Sequence, residues 1–455
     1  MAFVFYDVET TGLNKRFDQI LQFAAVRTDV DLVETERFET RCRLMPQVVP
    51  SPKALHLTET SLADATDTSR PTHYGMVCTI ARVLSSWSPS VFLGFNSISF
   101  DEEFLRQAFY QCLHPVFLTN TNRNARADVL NLMRAAGTLH PSVIRPGVGA
   151  DGADVYRLGP LAAANGIAPG KAHDAAHDVD ATLGLCRLVR SGAPELWSAF
   201  LRFSSKTSVV DFVRDEDAFA YFDFYGSPRV MHFLTRVGIS PRDGNVHYCL
   251  DLTGDVDALR RLDTLELTER IAVEPRPIRR LKVNGSPLLY PLWDIERSLF
   301  GETSEEDLMR SASLVRSDPD FMERLTQAAA SAEKVYPLSE HVEQQIYGAG
   351  FFSDSDREMC RQFHSRPWEE RLGLVERFDD QRLRRLGRRL IYFEAAHLFE
   401  EITRRAMDED IAARRRGDGR YLSPPWTTVP SALLELESID TQISSEFRQS
   451  FTAIK

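Results

Sequence analysis

Asp7 and Glu9 are the first residues of the chain whose types and spacing could do chemistry. They follow Phe3 and Phe5 at alternate positions of a predicted strand, so all four side chains point to one face of a sheet. Neighbouring carboxylates raise each other's pKa unless a cation or a proton relieves the repulsion. Oxygen-only ligands favour hard ions such as Mg²⁺ or Mn²⁺. The pair therefore indicates a divalent-metal site of the phosphoryl-transfer type, although taken alone it also fits an acidic surface turn.

A further carboxylate, Asp101, lies in the segment 94-GFNSISFDEEF-104, directly after a predicted buried strand. Ser99 is the predicted N-cap of the next helix. This places Asp101 in the first helical turn, where a carboxylate interacts favourably with the helix dipole. Helix capping alone would explain Asp101, so its assignment to a site depends on the other motifs.

The stretch 171-KAHDAAHDVDAT-182 admits two chemical interpretations. In the first, His173 and His177 bind zinc from one helix, with Asp174 in the place of a glutamate base. No third ligand follows in the usual place, and aspartate is a shorter base than that geometry needs. In the second, His173 lies on the loop before the helix as a general base, and Asp178 in the second turn binds a metal ion. The sequence favours the second interpretation.

These motifs stand in the order and at the spacing of a known nuclease superfamily. DVETTG at the start, NSISFD near 100 and HDAAHD near 175 resemble the exonuclease motifs of the histidine-containing branch of the DEDD superfamily, which has an RNase H-like fold. FDQILQFAAVRTD, RLGPLAAANGI, KAHDAAHDVDAT and YGAGFFSDSDR resemble the bacterial exonuclease I family, whose members degrade single-stranded DNA from its 3′ end. The resemblance covers essentially the whole chain and is loosest after residue 370.

The resemblance implies hydrolysis to 5′-mononucleotides with two Mg²⁺ ions, for which Mn²⁺ can substitute. Asp7, Glu9, Asp101 and Asp178 would hold the ions, with Asp7 as the bridging ligand, and His173 would be the general base. His177 then becomes an ordinary helix residue. A small-residue turn would also let the backbone approach the terminal nucleotide closely. The substrate-binding residues that the resemblance implies are Glu9, Thr10, Thr11, Gly12, Asn96 and Arg157.

One position departs from the family pattern, because Ala127 stands where relatives carry tryptophan. A base-stacking contact is therefore expected to be missing or to be supplied elsewhere. Single-strand binding without sequence preference uses aromatic platforms beside a positive groove. Candidate platforms, which core packing would equally explain, are Tyr221, Phe222, Phe224 and Tyr225, near Arg229.

The pattern of hydrophobic residues divides the chain into three predicted regions. Residues 1-192 alternate strands and helices, which predicts an α/β domain. Residues 193-345 contain short β-rich runs with flanking helices, and residues 346-455 are predominantly helical. The resemblance identifies these as an RNase H-like exonuclease domain, an SH3-like DNA-binding domain and a helical C-terminal domain. The predicted strands are FVFYDVE, ILQFAAVRTD, DLVETERFETRCRL and VFLGFN, and the predicted helices of the first region are 74-88, 101-113, 128-137, 157-166 and 175-192.

The overall composition is that of a globular protein of 455 residues, with 43% hydrophobic and 26% charged residues. The net charge of −11 opposes phosphate binding overall, but arginines cluster at 382-389 and 414-416, either as a DNA-binding surface or as solvated helix faces. Six scattered cysteines without a CxxC pair argue against a zinc module or a disulfide framework. With no predicted membrane span or signal peptide, we expect a cytoplasmic protein.

The resemblance also implies partners: single-stranded DNA, the acidic C-terminal tail of single-strand-binding protein, and a monomeric state. No local motif marks the tail-binding surface. Two alternatives remain, an RNA-trimming exonuclease of the same superfamily and a non-catalytic scaffold on a decayed nuclease fold. The long sequence after the first domain disfavours the former, and retention of all four carboxylates with His173 disfavours the latter.

Overall fold

The structure is a computed structural model that describes residues 2–168, 173–223, 231–348, 350–419 and 421–438. The chain forms two compact units, each assembled from separate segments. The first unit contains residues 1–124, 167–183 and 337–455, and the second contains residues 125–166 and 184–336. The domain ranges 1-192, 193-345 and 346-455 stay a prediction.

Strands and helices are distributed over both units. The strands are β1 (Ala2–Thr10), β2 (Ile20–Thr28), β3 (Glu34–Arg41), β4 (Ser90–Gly94), β5 (Ala125–Asp128), β6 (Gly147–Val148), β7 (Asp154–Val155), β8 (Phe219–Phe222), β9 (Met231–Ile239), β10 (Val246–Asp251), β11 (Ile278–Lys282) and β12 (Leu288–Pro291). The helices are α1 (Pro52–Leu57), α2 (Leu62–Thr66), α3 (His73–Ser86), α4 (Asp101–Gln111), α5 (Val129–Leu139), α6 (Leu158–Ala164), α7 (Ala175–Gly192), α8 (Pro194–Arg202), α9 (Lys206–Asp215), α10 (Val256–Arg260), α11 (Thr264–Ala272), α12 (Glu305–Arg316), α13 (Pro319–Ser331), α14 (Asp354–Ser365), α15 (Trp368–Val375), α16 (Gln381–Ala395), α17 (Glu401–Arg416) and α18 (Val429–Leu436).

The first unit is built on a sheet with the strand order β3-β2-β1-β4. β1 pairs antiparallel with β2 and parallel with β4, and β2 pairs antiparallel with β3. The four predicted strands and the five predicted helices of the N-terminal region are thus confirmed, with ends shifted by a few residues. The short helices α1 and α2 escaped prediction because six- and five-residue helices leave little periodicity.

The central strand β1 is buried on both faces, and its alternation decides which residues reach the site. Val4, Tyr6 and Val8 belong to a large hydrophobic core that also includes residues of α3 and α4. The opposite parity carries Phe3 and Phe5, which are 2% and 0% exposed, and then Asp7 and Glu9. The predicted common face of these four residues follows from this alternation.

The C-terminal helices share the core of the first unit. Phe363 of α14, Val375 of α15 and Leu386 of α16 are buried in the same cluster as Val77 of α3 and Phe109 of α4. The helical character predicted for this part of the chain is confirmed. Its packing shows why it forms one compact unit with the N-terminal sheet.

The second unit contains an antiparallel sheet with the strand order β11-β10-β9-β8-β12. Tyr248 and Leu250 of β10 pack with Leu267 of α11 and with Phe321 and Leu325 of α13. The β-rich prediction for this region is confirmed, and its SH3-like character stays a prediction. Across the described ranges, every helix is too short or too polar to cross a membrane.

Candidate active site

Three carboxylates converge where β1 ends and α7 begins. Asp7 and Glu9 lie near the C-terminal end of β1, and Asp178 lies in the first turn of α7. One oxygen of each lies within 4.8 Å of an oxygen of the other two. The structure therefore brings together residues that are separated by about 170 positions in the sequence.

Asp101 adjoins this group from the first residue of α4. Its side chain is 3% exposed, and its Oδ1 accepts a hydrogen bond from the backbone N–H of Val8, 3.0 Å away. Its negative charge raises the pKa of both Asp7 and Glu9. Asp7 and Glu9 thus lie within electrostatic reach of each of the other two predicted carboxylates, Asp101 and Asp178.

The predicted N-cap of α4 is wrong. Phe100, not Ser99, occupies that position, and it makes no side-chain capping hydrogen bond. The Ser99 hydroxyl instead donates to the backbone oxygen of Asn96 at 3.2 Å and to its Oδ1 at 2.8 Å. The acidic side chains of the first turn are left to interact with the helix dipole.

Glu102, which the sequence did not single out, fixes the start of α4. It is completely buried and accepts hydrogen bonds from Tyr6 Oη at 2.9 Å, Arg106 Nε at 2.9 Å and Thr119 Oγ1 at 2.6 Å. Tyr6 lies on β1 beside Asp7, so this network joins the strand to the helix that carries Asp101. An acidic run offers no local sign of which glutamate is buried.

Burial and mutual repulsion raise the pKa of the clustered carboxyls. Desolvation is the largest cause for each. The pKa of Glu9 rises from 4.5 to about 8, with added repulsion from Asp178 and Asp101 and partial relief from Arg41. The pKa of Asp178 rises from 3.8 to about 6 although His173 and His177 act to lower it, and that of Asp7 lies well above its usual range.

The donor set fits a hard divalent cation. All three clustered donors are carboxylate oxygens, the ligands that Mg²⁺ and Mn²⁺ prefer. A cation at this position would reverse the penalty that raises these pKa values, because it stabilises the ionised form of each acid. The resident group indicated by the site is a divalent metal.

His173 and His177 have different surroundings. His173 is exposed, lies two residues before the start of α7, and has a left-handed backbone with φ of 57°. His177 lies on the helix with its Nδ1 3.4 Å from Asp174 Oδ1 and is about half exposed. The interpretation of His177 as an ordinary helix residue stays a prediction.

The turn after β1 is held together by its own side chains. Thr10 Oγ1 donates to the Gly12 carbonyl at 2.8 Å, and Thr11 Oγ1 donates to Asp18 Oδ1 at 3.0 Å. A Cβ on Gly12 would lie 2.5 Å from Asp18 Oδ2. The small-residue turn is thus required by close packing within the protein, and its contact with a nucleotide stays a prediction.

The remaining predicted substrate positions lie in different units. Asn96 is half-buried in the first unit, with φ of 60°. Arg157 is exposed at the N-terminus of α6 in the second unit, and Ala127 is fully buried in β5. Ala127 accordingly offers no stacking surface, and the roles of Asn96 and Arg157 stay predictions.

Of the predicted aromatic platforms, two can be described. Phe222 is buried, with its ring 5.8 Å from that of Tyr290, and Tyr221 packs against a core of the second unit. This is a packing role. Phe224, Tyr225 and Arg229 lie outside the described residues.

The arginine clusters of α16 and α17 largely make internal ion pairs. Arg382 is 4% exposed and pairs with Asp380 at 2.7 Å, and Arg389 and Arg414 converge on the buried Glu343 at 2.5 and 3.0 Å. These pairs explain how arginine-rich helices can pack in a core. The clusters therefore say little about where DNA binds.

A cysteine and two histidines meet elsewhere in the first unit. Cys78 Sγ lies 3.3 Å from His114 Nε2 and 3.9 Å from His364 Nδ1. The two imidazole rings stack face to face, with centroids 3.9 Å apart and planes 8° from parallel. An ion bound through a ring nitrogen lies near the plane of that ring, so this stacked pair cannot share one. All six cysteines are free thiols, as predicted.

Two family models match separate parts of the chain. The model described as "Exonuclease" matches residues 4–186, which include all the candidate catalytic residues. The model described as "Exonuclease I C-terminal domain" matches residues 340–412, which include α14 to α16. Together they cover both the sheet with the carboxylates and the helices that share its core.

Relatives and solved structures agree with these matches. Exodeoxyribonuclease I of Haemophilus influenzae is 27% identical over 430 residues, covering 89% of this chain and 88% of that protein. Exodeoxyribonuclease I of Escherichia coli is 29% identical over 377 residues, covering 78% of each. The crystal structure of E. coli exonuclease I with a dA16 oligonucleotide matches with a TM-score of 0.86, at 24% identity and with 100% of both chains covered.

The agreement extends from the carboxylate motifs of the sheet to the C-terminal helices. An RNase H-like exonuclease domain and a helical C-terminal domain are present in one chain. The chain thus combines an exonuclease domain with an exonuclease I C-terminal domain, and it is similar along most of its length to exodeoxyribonuclease I.

Proposed function

We propose that this protein is a 3′→5′ exonuclease that hydrolyses single-stranded DNA to 5′-mononucleotides with two bound divalent ions. The observation that carries the proposal is the convergence of Asp7, Glu9 and Asp178 within 4.8 Å, next to Asp101 and with His173 on the adjoining turn. The names of the relatives and the oligonucleotide bound to E. coli exonuclease I support DNA as the substrate.

Each of the four acids has its own proposed role in binding the ions. Bound divalent ions supply charge neutralisation at the phosphodiester and a more acidic attacking water. Asp7 would bridge the two ions, Glu9 and Asp178 would complete the binding of one, and Asp101 would support the other. Asp101 is held for this role by the Val8 N–H.

His173 would remove the proton of the attacking water through an imidazole nitrogen. Its exposed position before α7 places it beside Asp178, whose pKa it lowers. A general base of this kind must come within hydrogen-bond reach of the proton that it removes, directly or through one water.

We propose that the ions are Mg²⁺, with Mn²⁺ able to replace them. The oxygen-only donors support this choice. A zinc-bound form of the E. coli exonuclease I complex with single-stranded DNA has been solved, which supports a divalent metal as the bound group.

The substrate-side assignments are part of the proposal. Thr10, Thr11, Gly12 and Asn96 would line the terminal nucleotide together with Glu9, and Arg157 would contact its phosphate or sugar. The β-rich region, with its SH3-like character, would bind the upstream strand.

Further partners follow from the relatives. A complex of single-strand-binding protein and exonuclease I with an inhibitor has been solved, which supports single-strand-binding protein as a partner. We propose a cytoplasmic monomer that acts in DNA repair and recombination.

The test is product analysis on a 5′-labelled single-stranded DNA oligonucleotide, with Mg²⁺ and with EDTA, beside matching RNA and duplex. Stepwise shortening of single-stranded DNA alone, abolished by EDTA, is expected. Preferential shortening of RNA would instead assign the protein to the RNA-trimming branch. Tight binding without cleavage would favour the scaffold alternative.

A further inference from the structure

Asp174 lies between the candidate general base and the catalytic helix, and the proposed chemistry leaves it without a role. It directly follows His173 and precedes α7. Its Oδ1 accepts a hydrogen bond from the Ala176 backbone N–H at 3.1 Å, so Asp174 caps the helix. Asp174 thus connects His173 to the first turn of α7, which carries Asp178.

The sheet holds the other oxygen of Asp174. Arg41 Nη2 donates to Oδ2 at 2.8 Å, and Gln22 Nε2 donates to the same oxygen at 3.4 Å. Gln22 Oε1 also accepts from the Ala175 N–H at 3.5 Å. Gln22 is 3% exposed and the Asp174 side chain is 16% exposed, whereas the Arg41 side chain is 37% exposed, so the Gln22 contacts are shielded from water and the Arg41 contact is partly open to it.

The two donors belong to the same row of the sheet as a candidate metal ligand. Glu9 of β1 is paired in register with Gln22 of β2, and Gln22 is paired with Arg41 of β3. Directly opposed residues on neighbouring strands point to the same face. This row, Glu9–Gln22–Arg41, therefore presents one candidate metal ligand and holds Asp174 at the same time.

The restraint acts where the backbone is strained. His173 has φ of 57°, a left-handed conformation that non-glycine residues seldom adopt. Such conformations persist only when surrounding contacts fix them, and they are concentrated at functional sites. Asp174, the residue that follows His173, is itself fixed by its contacts with Arg41, Gln22 and the Ala176 backbone N–H.

We propose that Asp174, held by Gln22 and Arg41, is a positioning residue that keeps His173 in the orientation required of a general base. The inference rests on the proposed exonuclease function. Supporting groups around metal sites typically change metal affinity or activity about 10–100-fold when they are removed.

The ion pair between Arg37 and Asp180 of the same helix is a matched control. Arg37, also on β3, pairs with Asp180 of α7 at 2.6 Å, and this pair is more exposed, at 39% and 50%. It fastens α7 to the same strand but lies beyond Asp178, away from His173. Removing it tests whether any loosening of the helix would have the same effect.

The experiment measures kcat and KM on single-stranded DNA at saturating Mg²⁺ for Asp174→Ala, Asp174→Asn, Asp180→Ala and wild type. Asp174→Ala should lower kcat roughly 10–100-fold and leave KM unchanged, as expected when a supporting group is lost. Asp174→Asn keeps the capping oxygen, and its kcat should fall less than that of Asp174→Ala. Asp180→Ala should match wild type, and circular dichroism checks that each variant is folded.

The decisive comparison is made in a His173→Ala background. If Asp174 acts through His173, then adding Asp174→Ala to His173→Ala should cause no further loss of kcat. An equal loss in both backgrounds, an equal loss in Asp180→Ala, or a wild-type kcat for Asp174→Ala would overturn the inference. Absence of single-strand degradation by the wild type would refute the proposed function instead, so the two failures are distinguishable.

Discussion

Replacing Glu9 by glutamine is expected to stabilise the metal-free protein at neutral pH while abolishing turnover. Burial, then repulsion from Asp178 and Asp101, raises the pKa of Glu9 from 4.5 to about 8. The folded state therefore holds this proton more tightly than the unfolded state does. Stability from this group is complete below about pH 4.5 and is lost as the pH rises towards about 8.

The size of the effect follows from that interval. At pH 7 the solution is two and a half pH units above the ordinary pKa of 4.5, and each unit corresponds to about 1.36 kcal/mol. The glutamine variant, which has no proton to lose, should thus gain up to about 3 kcal/mol in free energy of unfolding. At pH 5 the gain should fall below about 1 kcal/mol.

The assay is urea unfolding of EDTA-treated wild type and Glu9→Gln at pH 5 and pH 7. Glu195→Gln, an exposed glutamate on α8, is the control and should change nothing at either pH. Excess Mg²⁺ should then reverse the order, because the wild type gains the binding free energy of a site that the variant has lost. A variant that is less stable than wild type without metal, or a gain that does not depend on pH, would refute the reasoning.

Three further outcomes are expected. Asp178→Asn should abolish turnover and leave single-stranded DNA binding nearly intact, which gel shift and product analysis together will show. His173→Ala should lower kcat about 10²–10⁴-fold, the usual contribution of a positioned general base, and a loss confined to DNA affinity would contradict that role. Gly12→Ala should lower the free energy of unfolding by about 1–3 kcal/mol, because its Cβ would lie 2.5 Å from the Asp18 carboxylate. Gly159→Ala, which has open space around its Cβ, should not lower the free energy of unfolding.

The burial and the hydrogen bonds of Glu102 could not be predicted from the motifs. Glu102 adjoins Asp101 in an acidic run, yet it is the completely buried member that binds Tyr6, Arg106 and Thr119. Its partners come from β1, from its own helix and from the segment after α4. Spacing within one segment carries no information on such contacts, which form only when separate segments pack.

The arginines of α16 illustrate the same limit. As a sequence, 382-RLRRLGRR-389 fits a DNA-binding surface or a solvated helix face. In the structure, Arg382 is buried against Asp380, and Arg389 meets Glu343, so neither description fits these two residues. Their partners lie outside the run, and charge counting along the run does not include them.

The sequence by itself determined the elements of the first sheet and singled out the candidate metal-site acids. Strand alternation places Asp7 and Glu9 on one face, and the spacing of His173 and Asp178 places one before a helix and the other within it. These are local properties, governed by a period of two in strands and 3.6 in helices. Only the tertiary structure decided that Gln22 and Arg41 would meet Asp174, because register between β1, β2 and β3 and the seating of α7 depend on packing between distant segments.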